Sequence, residues 1–110
     1  MKLAEIGPDM LLEQLESRQD SYVAAKEKAS RADFALERIQ KGIYSALRKA
    51  GGCSVEDAKA AVFESEVVTD AFNEAMVAQR EKDMAMYALD RVKVATDLWR
   101  TEQSTIRAMK

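Results

Sequence analysis

Apolar residues along the first half of the chain recur in alternating steps of three and four. Leu11, Leu15, Tyr22, Ala25, Ala29, Ala32, Leu36, Ile39, Ile43, Ala46 and Ala50 follow this spacing, and Arg18 is the single interruption. A heptad pattern held over many turns predicts a helix with a coiled-coil contact along one face. The start falls near Pro8, because proline lacks an N–H that has no partner in a first turn anyway. Asp9 and Glu13 follow, where the helix dipole favours acids, and Lys41, Arg48 and Lys49 stand near the far end, where it favours bases. Gly51-Gly52 ends the helix with a cheap left-handed cap. The first helix is thus expected over about residues 8–50.

Ser54 then caps a short helix over about 55–63, with Glu56 and Asp57 in its first turn. Glu64-Ser65-Glu66 reads as a second start, and no breaker follows, so a last helix is expected over about 66–109. Its apolar residues, Val68, Ala71, Phe72, Ala75, Ala78, Ala85, Ala88, Leu89, Val92, Ala95, Trp99, Ile106 and Met109, form a stripe wider than a two-position seam. Two helices of about 43 residues, ~65 Å each at 1.5 Å per residue, joined by a compact tip, must fold back on each other. The expected fold class is all-α: a single domain over 1–110, two long antiparallel helices in a helical hairpin or coiled coil, with a short helix at the tip. Such a pair buries little surface. The strip at Ala85, Ala88, Leu89, Val92, Ala95 and Trp99 therefore predicts a homodimer or higher oligomer.

Composition narrows the chemistry. The chain has 110 residues with one proline and four glycines, and 33% of them are charged. It has no histidine, which removes the commonest metal ligand and the commonest neutral-pH base. Glu13/Glu16 and Asp33/Glu37 share helix faces but read as solvated charge, so no metal, cofactor or catalytic residue is expected. Cys53, the only cysteine, precedes a helix start where a thiolate is favoured. With no histidine to serve it as a base, it reads as a small packing residue, and a lone cysteine suits a reducing compartment. Gly51-Gly52 is too short for a phosphate loop. No apolar run approaches a membrane span, and the first residues carry an acid where a signal peptide needs an apolar core. A cytoplasmic, non-enzymatic protein is expected.

The net charge of −2 hides an uneven distribution. Glu56, Asp57, Glu64, Glu66, Asp70 and Glu74 face only Lys59 in their stretch, whereas Arg91, Lys93, Arg100, Arg107 and Lys110 outnumber Asp97 and Glu102 at the end. Arg100 and Arg107 are seven apart and so share a face, with Trp99 beside them. A basic helix bearing a tryptophan suits single-stranded DNA, the ring stacking and the bases contacting phosphates. The same residues also suit a protein partner. If Trp99 instead plugs the coiled-coil core, the bases merely complement the helix dipole.

The ending Leu98-Trp99-Arg100-Thr101-Glu102-Gln103-Ser104-Thr105-Ile106-Arg107-Ala108-Met109 resembles the C-terminal signature of small helical coiled-coil proteins of tailed bacteriophages and prophages, a Trp-Arg-Ser/Thr group followed by Arg-Ala-Met. Ser54-Val55-Glu56-Asp57 resembles the start of their short helix. The likeness implies an accessory role in phage DNA recombination or replication, through single-stranded DNA or the proteins that coat it, within the host cytoplasm. Two other roles fit a charge-polar helical chain: a host-defence antagonist that binds a host protein, with the acidic stretch as a phosphate mimic, and a structural coiled-coil adaptor.

Overall fold

The computed structural model describes residues 7–109, and Lys110 lies outside them. Three helices occupy almost all of this range: α1 over Pro8–Ala50, α2 over Val55–Glu64 and α3 over Glu66–Met109, with no strand among the described residues. α1 and α3 pack together as the arms of a helical hairpin, and α2 lies between them in the chain. The ends of the helices follow the chemistry of the residues placed there. The Gly7 carbonyl accepts from the Leu11 N–H at 3.1 Å, opening α1 directly before Pro8. Gly51 and Gly52 have φ of 75° and 86°. An L side chain is disfavoured in that region, so the pair closes α1. The Arg48 guanidinium donates to the Cys53 carbonyl at 2.9 Å and ties the link to the helix it leaves. Ser54 then caps α2, its hydroxyl accepting from the Asp57 N–H at 3.1 Å. Ser65 is extended, with φ −67° and ψ 130°, which breaks α2 from α3. Its N–H donates to the Val62 carbonyl, and its own carbonyl accepts the Thr69 N–H at 3.0 Å as the first bond of α3.

The chain divides into two compact units. In the unit of residues 26–81, the core is Ala29 from α1, Ala58 and Val62 from α2, and Val68, Ala71, Ala75 and Ala78 from α3. Leu36, Ile39, Ile43, Tyr44 and Leu47 are half-buried around it. Alanine predominates, so little apolar side-chain volume is enclosed. Lys28 of α1 meets Glu81 of α3 at 2.9 Å on the rim. Both side chains stay well exposed, so this pair contributes at most about 1 kcal/mol.

In the other unit, formed by the described residues of 1–25 with 82–109, Leu11 and Leu89 are the buried side chains. Leu15, Tyr22, Ala25, Ala85, Ala88, Val92, Ala95 and Trp99 are half-buried. Arg18, the one interruption in the spacing of α1, is exposed and lines an open cleft with Val92.

Two details depart from the sequence pattern. Ala46 and Ala50 are exposed, and Tyr44 and Leu47 turn inward instead. A straight helix turns every 3.6 residues or so, and the 3.5-residue seam slips by a position over many turns. On α3, Phe72, Ile106 and Met109 fall outside the packed face, whereas Lys82, Thr96 and Gln103 are half-buried within it. Lysine lays its aliphatic stem on such a surface and keeps its charge in water. The Thr96 hydroxyl donates to the Val92 carbonyl within the helix at 2.9 Å.

Candidate functional site

The basic end of α3 divides into two faces. Lys93, Arg100 and Arg107 recur every seven residues and are exposed, Arg107 in the last turn of the helix. Arg91 lies on a different face, its guanidinium carbon 6.0 Å from the centroid of the Tyr87 ring. Trp99 is half-buried. It lines a cleft with Pro8, Leu11, Leu12, Leu15, Thr96 and Arg100, among aliphatic side chains of α1. The indole thus sits at a packing position, with the exposed Arg100 at the edge of the same cleft. The structure places Lys93, Arg100 and Arg107 in one exposed row, of which Arg100 shares a cleft with Trp99, and it sets Arg91 on another face. Lys110 is outside the described residues.

The strip at Ala85, Ala88, Leu89, Val92, Ala95 and Trp99, expected from the spacing to serve an oligomer, is buried or half-buried. A different apolar row of α3 is open to water. Met84, Tyr87, Val94 and Leu98 are 67%, 68%, 58% and 55% exposed. With Arg91 they step by three and four along the helix, so they form a second heptad row on the face away from Leu89. Scattered exposed apolar residues are ordinary, but four in heptad register on one face are not. Sequence reasoning missed this row because it followed the stripe through Ala85, Leu89, Val92 and Trp99, which contains none of these four residues. The spacing from Met84 to Leu98 was the signal that separates the two faces.

In the unit of residues 26–81, Tyr44, Val62 and Phe63 line an open cleft with Gln40, Lys41 and Lys59. Phe34 is exposed on α1 with Arg38 stacked 5.9 Å from its ring centroid. Cys53 is half-buried beside the α1–α2 link. Among the described residues, no three carboxylate or cysteine side chains gather as a metal site would require, and no helix is long and apolar enough to cross a membrane. Compared with protein-family models, with curated proteins and with solved structures, the chain matches none.

Proposed function

We propose that this chain is a non-enzymatic docking protein that offers the outer face of α3 to a protein partner. The observation that carries the proposal is the heptad row Met84, Tyr87, Val94 and Leu98, large apolar side chains left in water on a helix whose opposite face is packed. Helix-in-groove and coiled-coil recognition use anchors at this spacing. In the phage-type setting that the C-terminal sequence resembles, such a protein works as an accessory of DNA recombination or replication by binding a protein that handles single strands. The same face serves equally well for a host-defence antagonist or an adaptor. Affinity capture from a lysate of the source organism tests the proposal. A partner held by the parent and by Arg100→Ala/Arg107→Ala, but released by Val94→Asp, is the expected result.

A second reading rests on the exposed row of Lys93, Arg100 and Arg107. Three cations at heptad spacing suit direct phosphate contacts with single-stranded DNA, with no contribution from Trp99. Binding of an oligonucleotide at low salt, with a salt slope that falls by about 0.7 for each arginine removed, is its signature. That result, with no effect of Val94→Asp, would replace protein docking by nucleic-acid binding.

A further inference from the structure

If the outer face of α3 docks a protein, the borders of that face select the kind of protein. Along one border, Asp83, Asp90 and Asp97 recur every seven residues beside Met84, Arg91 and Leu98. Along the other stand Ala88 and Ala95, half-buried at the margin of the packed face, and then the exposed Glu102. Lys93 and Arg100 lie one row behind the aspartates, on the side nearer the packed face. The apolar row thus has acidic edges on one side, small residues on the other, and a single cation, Arg91, within it.

We propose that this face takes an amphipathic helix of another protein, one whose own apolar seam is bordered by lysine or arginine and carries a polar acceptor opposite Arg91. Charges at the positions flanking a helical seam set partner choice and direction. A cationic border meets the aspartates at the solvent edge, where both sides keep some hydration. On the other edge Ala88 and Ala95, half-buried at the margin of the packed face, set no charge against the partner. A second copy of this chain fits the face poorly in either direction. Antiparallel, the aspartate border meets an aspartate border. Parallel, each border residue meets the residue five further along, so Asp83 and Asp90 face Ala88 and Ala95, and Asp97 faces Glu102. Both arrangements also place an arginine in the seam of each copy with no acid opposite it, and an unpaired charge there is costly.

The inference rests on the docking role proposed above, and the test separates the two. A labelled three-heptad synthetic helix is made with a leucine seam, glutamine opposite Arg91 and lysine at the bordering positions. A matched helix carries glutamate at the borders. Fluorescence anisotropy against the full chain is expected to show the lysine-bordered helix binding at least about tenfold tighter at low salt, since like charges set side by side suppress a wrong partner. Val94→Asp, at an exposed position, should abolish that binding without moving the thermal melt. Asp90→Lys/Asp97→Lys should reverse the preference between the two helices. Equal binding of both helices, lost together in Val94→Asp, would leave a docking face but overturn its charge selectivity. Failure of both helices to bind would overturn the face itself. A dimer seen by sedimentation and dispersed by Val94→Asp would assign the face to a second copy and overturn the inference.

Discussion

Leu89 and Met84 are five residues apart on α3, and the two-faced helix assigns them opposite weights. Leu89 is 6% exposed, and with Leu11 it forms the buried part of its unit. Truncating it to alanine removes buried apolar surface and leaves a cavity, with Ala85 and Ala88 beside it in the chain too small to fill it. A cost of about 3 kcal/mol is expected, within the usual range for a buried leucine. For a domain of this size, that is a fall in Tm of roughly 10 °C or more. Met84 points the other way, and Met84→Ala removes atoms already in water. Its cost should stay within about 0.5 kcal/mol, and alanine's better helix propensity can offset even that. Urea and thermal melts followed by circular dichroism measure both variants against the parent. If Met84→Ala lost as much as Leu89→Ala, or if Leu89→Ala were neutral, the assignment of inner and outer faces would be refuted, and with it the docking row.

Other expectations follow from single positions. Gly42 is an exposed residue within α1, and a Cβ built there meets nothing within 4 Å, so Gly42→Ala should raise stability by about 0.5–1 kcal/mol in a urea melt. Ser54→Ala removes the hydroxyl that accepts the Asp57 N–H and should cost about 1 kcal/mol, with hydrogen exchange rising at the start of α2. Trp99→Ala should cost about 2 kcal/mol, less than the ~3–5 of a fully buried tryptophan because the ring is half-exposed. A Trp99→Ala protein as stable as the parent would take the ring out of the packing.

The three helices were legible because their signals are local. Pro8, Gly51-Gly52, Ser54 and Ser65 each mark an end by their own backbone chemistry, and the helices run between those marks. The packed face of α1 was legible from Leu11 to Ile43, because its seam holds apolar residues at all but one step. The packed face of α3 was harder to read. Lys82, Thr96 and Gln103 occupy steps of its seam, and a polar residue breaks the pattern even where only its stem is covered. The outer apolar row lies on the other side of the helix from Leu89, and its members do not belong to the stripe that the spacing suggested. Trp99 shows a different limit. A tryptophan beside arginines fits a stacking platform or a packed seam equally well, and only its placement among Pro8, Leu11 and Leu15 separates them.

The distribution of side-chain size between the two faces of α3 adds a further argument for docking. In the unit it shares with α2, the packed face of α3 is Val68 and three alanines. In the other unit, Met84, Tyr87, Val94 and Leu98 stand exposed on the face away from Leu89. Helix propensity does not explain the outer choice, because tyrosine and valine are poorer helix formers than alanine, lysine or glutamate by some tenths of a kcal/mol each. Intramolecular packing does not explain it either, since Tyr87 and Val94 remain more than half exposed. For stability of the free chain alone, charged residues would serve better at Met84, Tyr87, Val94 and Leu98. Burial of those four side chains against a partner would convert the disadvantage into binding energy, at roughly 25 cal/mol for each Å² of apolar surface covered. Part of that gain is spent on ordering the complex, and anchors already held on a rigid helix reduce that cost. A partner helix would in turn stabilise the chain. The melting temperature should therefore rise with the concentration of the lysine-bordered probe and stay unchanged with the glutamate-bordered one.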